Sequence, residues 1–257
     1  MLSSREICVT YANGVVALEP TSLSFERGSF VVLLGSSGAG KSTLLRALNG
    51  LVRPRSGDVL GSDGKSIFAS AAALRSHRRR TAMVFQQHHL IGRLSILKNV
   101  LMGRLAHHSS LRSLLPLPKA DRMVALEALD RVGLAARALE RADQISGGQQ
   151  QRVGIARAMA QKPDIILADE PVASLDPATA FQVLTDLHRI CREDGITTVV
   201  SLHQVDLARQ FADRICALVQ GRVVFDGAPS ALSDIKLDAI YGASNSSPIS
   251  SFALAAE

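Results

Sequence analysis

The chain has 257 residues, 47% of them hydrophobic, which supplies a sizeable core for one large α/β domain or two small ones. No apolar run approaches the roughly 18 residues of a membrane span, and Arg5 and Glu6 break the N-terminal hydrophobicity, so neither an exported nor an integral membrane protein is expected. Its net charge of +6 does not choose among nucleic acid, an anionic membrane surface and an ordinary basic protein, whereas Cys8, Cys191 and Cys216 form no C-x-x-C pair and fit a reducing, cytoplasmic setting.

The N-terminal region reads as antiparallel strands. Ile7, Val9 and Tyr11 alternate, Asn13-Gly14 is a hairpin signal, and Leu23 and Phe25 alternate ahead of Arg27-Gly28. By itself this pattern puts Tyr11 in the strand core. Phe30 to Leu34 is wholly apolar, with the composition of a buried parallel strand. It runs straight into Gly35-Ser36-Ser37-Gly38-Ala39-Gly40-Lys41-Ser42-Thr43, after which Leu44, Leu45, Leu48 and Leu51 recur at helical spacing. A polar, glycine-bearing stretch from Ser56 to Lys65 follows, then a helix-like Ala/Leu segment and a strand from Thr81 to Phe85. Arg78, Arg79 and Arg80 are the densest basic run, but they lack interleaved aromatics and are expected at a solvated edge. From about His88 to Gln161 the pattern is mainly helical. Pro116 and Pro118 mark a loop there, and Met123, Leu126, Leu129 and Val132 recur until Gly133 ends the run. Strands resume at 165–168 and 197–201 with a helix from Pro177 to Asp194 between them, which implies a parallel sheet with right-handed crossovers. A hairpin, 215–219 and 222–225, turns at Gln220-Gly221 before a Ser/Ala-rich stretch, 243–257, expected to be a mobile tail.

Three motifs carry chemistry. In the G-x-x-x-x-G-K-S pattern, Gly35, Gly38 and Gly40 let the backbone turn so that N–H groups converge on β- and γ-phosphates. Lys41 adds a point charge there and Ser42 an oxygen for Mg²⁺. Asp169-Glu170 follows a buried strand and so falls at its C-terminal edge, where ligands bind in such sheets. Asp169 suits Mg²⁺, and Glu170 suits the acceptance of a proton from water attacking the γ-phosphate. Ser146 and Gln149 form a capping-box pattern, and Gly147-Gly148 between them bare a second helix N-terminus to an anion. Ser201, His203 and Asp206 do not make a nucleophilic triad, because one strand end and its following helix cannot supply that geometry. The pairs His88-His89 and His107-His108 read as surface residues rather than metal ligands, lacking carboxylate or cysteine partners nearby.

In this order, with Gln86, Ser174-Leu175-Asp176 and His203, the motifs resemble those of the ATP-binding cassette (ABC) ATPases over essentially the whole chain to about Gly242. The departure is Ile145, where that family usually has leucine. The resemblance implies a P-loop NTPase fold of class α/β: a RecA-like parallel sheet core (about 1–87 and 162–242), an N-terminal antiparallel β subdomain and an inserted α-helical subdomain (about 88–161). It implies ATP and Mg²⁺ as cofactors and a head-to-tail dimer of two copies. Each ATP would lie between one copy's loop, Gly35, Ser36, Ser37, Gly38, Ala39, Gly40, Lys41, Ser42 and Thr43, and the other's Ser146, Gly147, Gly148 and Gln149. Tyr11 would stack on adenine and Asp176 would contact the opposing copy. Ser42, Gln86 and Asp169 would serve the metal, and Lys41, Glu170 and His203 the hydrolysis.

Within the family, the segments 85–95, 99–105, 168–177 and 201–207 are most similar to the ATPases of bacterial phosphonate importers. That likeness implies integral permease subunits as partners, a periplasmic substrate-binding protein as an indirect one, and a peripheral place on the cytoplasmic face of the inner membrane. Phosphate, phosphite or an organophosphate ester are possible cargoes of the same route. An importer of polar amino acids or methionine is the alternative within the class. A cassette acting on nucleic acid or ribosomes is the alternative outside it. No long coiled-coil insertion, zinc module or second cassette is seen to favour that second alternative, so no nucleic-acid partner is expected.

Overall fold

The computed structural model describes residues 1–87, 89–109 and 115–242, so the predicted tail and His88 lie outside the described residues. Strands β1 (Leu2–Thr10) and β2 (Val16–Phe25) form the expected antiparallel pair. After β3 (Phe30–Leu34) and helix α1 (Lys41–Leu48) comes β4 (Ser56–Leu60), which pairs antiparallel with β1 and completes a sheet of order β2-β1-β4. The sequence reading treats 56–65 only as a polar stretch. Its strand is concealed because Ser56 and Gly57 are exposed and only Val59 and Leu60 are buried.

The remaining elements build the central sheet. Helix α2 (Ala71–Arg80) leads into β5 (Thr81–Val84), and β6 (Ile165–Ala168), α6 (Pro177–Asp194), β7 (Thr197–Ser201) and α7 (Val205–Phe211) follow the helical segment. The hairpin β8 (Arg214–Val219) and β9 (Arg222–Gly227), then α8 (Asp234–Tyr241), close the described chain. Strand order is β5-β6-β7-β3-β8-β9, parallel except for β9. Every residue of β3 is buried because it packs on both faces. Val31 and Leu33 join a core with α1 and the antiparallel sheet, while Phe30, Val32 and Leu34 join a second core beneath the helices.

Between β5 and β6 the described residues form α3 (Ile96–Leu101), α4 (Lys119–Arg131) and α5 (Gly147–Ala160). Ile96 and Val100, Ala125 and Leu129, and Val153 and Ala156 bring these helices into the second core. Helix α6 has its predicted bounds. Asp176 caps it by accepting from the Thr179 N–H at 3.0 Å, Pro177 opens it, and Gly195 at φ +62 ends it.

The arginine run closes α2 at an exposed edge, as expected, and there Arg78 donates to the Gly50 carbonyl and Arg80 pairs with Asp164. Met123 lies on α4 at its expected spacing and is 57% exposed. Two expectations need correction. Leu51 lies beyond the end of α1 and is 48% exposed. His107 and His108 are half-buried: His107 bonds the Gln161 carbonyl at 2.8 Å, and His108 has a carboxylate partner, Asp121, at 2.6 Å. Among the described residues no group of three His, Cys, Asp or Glu side chains is placed to hold a metal, and no helix is long and apolar enough to cross a membrane.

Candidate active site

The loop between β3 and α1 is shaped by its own backbone and by its neighbours. Gly40 is held at φ +103, and a Cβ there would stand 2.6 Å from the Ala17 carbonyl of β2, so only glycine fits. From the β8–β9 turn, the Gly221 N–H donates to the Ala39 carbonyl at 2.9 Å, while Ala39 itself donates to Ser36 at 3.2 Å. Gly40 caps α1 without a side chain, so the first N–H groups of the helix have no intrahelical partner and suit an anion. Lys41, 3% exposed, donates to the carbonyls of Gly35 at 2.8 Å and Ser36 at 3.0 Å, and its Nζ stands 3.9 Å from Glu170 Oε1. Burial pushes the ammonium below the ordinary lysine value, and the charges of Glu170 and Asp169 push back.

The parallel register of β6 with β7 and of β7 with β3 brings the acids to this loop. Asp169 Oδ1 accepts from Ser42 Oγ at 2.8 Å and from Ser201 Oγ at 3.1 Å, with the Arg46 guanidinium 4.0 Å from the other oxygen. Glu170 sits at φ +47, a left-handed conformation that costs a non-glycine residue on the order of 1 kcal/mol and persists only when its surroundings hold it. Its N–H donates to Ser201 Oγ at 2.8 Å, and its carboxylate meets His203 Nε2 at 2.6 Å. Ser201 and His203 both turn to these acids. The Asp169 carboxylate and Ser42 hydroxyl are hard oxygen donors of the kind a magnesium ion takes.

The other candidates surround this cluster or form a second one. Tyr11 lies just past β1 and is 38% exposed, so it is not a core residue, and its hydroxyl is 3.0 Å from Thr43 Oγ1 in the first turn of α1. Gln86 is exposed beyond β5, where with Leu90, Gly92, Asp143, Gln150 and Ser174 it lines a groove of about 460 Å³. Ser146 and Gln149 make the full capping box, with Gln149 N–H to Ser146 Oγ at 3.4 Å and Ser146 N–H to Gln149 Oε1 at 3.0 Å. Ser146 and Gly147 are exposed, and Gly148 packs against Thr179, the residue bound by Asp176. Sequence reasoning missed two hydroxyls. Ser201 ends a fully buried strand two residues before His203, and Tyr241 of α8 reaches the His203 carbonyl at 3.5 Å.

The family model described as ABC transporter matches residues 18–173, which span both the Lys41 loop and the Asp169-Glu170 pair. The chain belongs to the ABC transporter family. This cassette is 61% identical over 249 residues to the phosphite import ATP-binding protein PxtA of Stutzerimonas stutzeri, covering 96% of the chain and 90% of that relative. It is 56% identical to the phosphonates import ATP-binding protein PhnC 3 of Nostoc sp., covering 94% and 92%. Among solved structures it is similar to a dimeric ATP-binding cassette in a post-hydrolysis state bound to ADP and Pi, with a TM-score of 0.78 and 35% identity over 89% of this chain and 99% of that one. A second solved cassette, in an ADP conformation, aligns with a TM-score of 0.82 at 26% identity over 94% and 98%. The ABC transporter family binds ATP, and in this member Lys41, Ser42, Asp169, Glu170 and His203 meet at one edge of the sheet.

Proposed function

We propose that this cassette is the ATP-hydrolysing subunit of an importer for phosphonates or phosphite, working as a pair on a membrane permease. The observation that carries the proposal is the convergence of a buried lysine, a hydroxyl, two carboxylates and a histidine on one phosphate-shaped loop. The cargo rests on the relatives, which are named for phosphite and phosphonate import.

Residues 35–43 cradle the β- and γ-phosphates, with Lys41 as the fixed charge and Tyr11 stacked on adenine. Ser42, Asp169 and Gln86 would hold Mg²⁺, which needs few protein ligands when phosphates and water supply the rest and which, when bound, neutralises phosphate charge. Glu170 takes the proton of the attacking water, and His203, joined to it at 2.6 Å, holds the γ-phosphate in reach. Ser146 to Gln149 of one copy close over the nucleotide of the other, and Asp176 meets the opposing copy. The segment 88–161 acts as a helical subdomain whose groove beside Gln86 receives the permease. The cassette would then work on the cytoplasmic face of the inner membrane, with a periplasmic binding protein on the other side. Uptake of radiolabelled methylphosphonate and phosphite in a deletion strain tests the reading. Wild-type protein should restore uptake of at least one and Glu170→Gln of neither; uptake untouched by the deletion refutes the assignment.

A further inference from the structure

We propose that Ser201 is a positioning residue for hydrolysis, one hydroxyl that sets the backbone of Glu170 and a carboxylate oxygen of Asp169 at once. The proposal rests on the catalytic reading of those two acids given above.

The strand pattern does not explain a serine at this position. All five residues of β7 are buried, and Ser201 is 0% exposed, so a valine like Val199 or Val200 would satisfy burial. The other hydroxyls of the strand have partners away from the acids: Thr197 bonds the Glu26 carbonyl and the Gly28 N–H, and Thr198 bonds the Ile196 carbonyl and the Cys191 side chain. Ser201 differs because register puts it between the two functional strands. Leu33 of β3 is its partner on one side, just ahead of the phosphate loop. On the other, the pairing of Ala168 with Val200 sets Asp169 alongside it.

A hydroxyl has one proton to donate and lone pairs to accept with, and here both capacities are used in a fixed sense. The Glu170 N–H donates to Ser201 Oγ at 2.8 Å, and Ser201 Oγ donates to Asp169 Oδ1 at 3.1 Å. The same Oδ1 accepts from Ser42 at 2.8 Å, so one hydrogen-bonded chain runs from the backbone of the base to the first turn of α1. The preceding N–H, that of Asp169, is spent on the Val84 carbonyl in the ordinary strand ladder at 2.8 Å, which leaves the Glu170 N–H to a side chain. At φ +47 Glu170 has left the extended conformation, and a bond to Ser201 is what holds the turned residue in place. Removing the hydroxyl leaves a half-buried N–H without this partner and takes one of two hydroxyl donors from Oδ1. The base would then drift from its place beside His203, while Lys41 and the loop amides that bind phosphate would be untouched. The loss falls on turnover rather than on nucleotide affinity.

The test compares Ser201→Ala and Ser201→Thr with wild type and Glu170→Gln, measuring kcat and KM for ATP by phosphate release and ADP affinity by calorimetry. The expected result for Ser201→Ala is a kcat lowered by about tenfold or more with KM and ADP affinity within about twofold of wild type. Ser201→Thr, which keeps the hydroxyl, should retain most of the turnover. Three results would overturn the proposal: an alanine variant at wild-type kcat, a KM that rises in step with the fall in kcat, or a threonine variant as slow as the alanine one. If Glu170→Gln itself turns over normally, the catalytic reading beneath the proposal has failed instead.

Discussion

Replacing Gly40 with alanine separates the geometry of the phosphate loop from its chemistry. The added Cβ would stand 2.6 Å from the Ala17 carbonyl and 3.4 Å from the Cα of Gly221, both backbone atoms of neighbouring strands and turns. An ordinary carbon–oxygen contact of about 3.3 Å requires the loop to move by about 0.7 Å. Misplacement of about 1 Å can cost about 10²-fold in rate, so kcat/KM for ATP should fall about 30- to 100-fold. The forced φ adds about 1–2 kcal/mol of strain, or roughly 2–8 °C in Tm for a chain of this size. Gly14→Ala is the control, since Gly14 has φ +83 but nothing within 4 Å of its Cβ position. It should lose similar stability and keep kcat/KM within about twofold, because strain without displacement leaves the site intact. Phosphate release and thermal melts of the two variants give both numbers. Near-wild-type kcat/KM in Gly40→Ala, or an equal loss of kcat/KM in the two variants, would refute the reasoning.

Three further outcomes are expected. Glu170→Gln should lower kcat by about 10²- to 10⁴-fold and accumulate ATP-stabilised dimers on size exclusion; a monomer with ATP and Mg²⁺ would count against shared sites. Lys41→Ala should abolish tight nucleotide binding in a calorimetric titration, because among the described residues no other buried cation touches the Gly35 and Ser36 carbonyls. Asp121→Asn should destabilise by about 3 kcal/mol at neutral pH, by removing a buried carboxylate that Arg104 and His108 both bond. Burial opposes that carboxylate's charge, yet the bonds from Arg104 and His108 outweigh it and hold its pKa below the ordinary 3.8. The stabilisation is therefore complete above that pH and is lost as pH falls through the lower folded value, so the melting gap between wild type and Asp121→Asn should close in acid.

What could be read in advance depended on how local the cause was. Phe30–Leu34, Pro177–Asp194 and Thr197–Ser201 have their predicted bounds, because an apolar run, a cap, a proline and a terminal glycine, or a β-branched run, act within a few residues. Strand β4 was hidden because its partner, β1, lies some fifty residues earlier and its own polar residues face water. The spacing of Met123 and Leu51 with buried leucines was real, but burial depends on what packs opposite, which spacing does not encode. The same limit applies to His108, whose partner Asp121 stands thirteen positions away in the chain. The motifs named Lys41, Ser42, Asp169, Glu170 and His203, and the register of three parallel strands explains how they meet. Ser201 had no motif to announce it, since its role comes from standing beside Asp169 in the neighbouring strand.

The two carbonyls that hold the Lys41 ammonium belong to the very bend that would receive the polyphosphate. Charge and bend are thus one rigid piece: whatever shifts the backbone at Gly35 or Ser36 carries the ammonium with it, so the two cannot fall out of alignment.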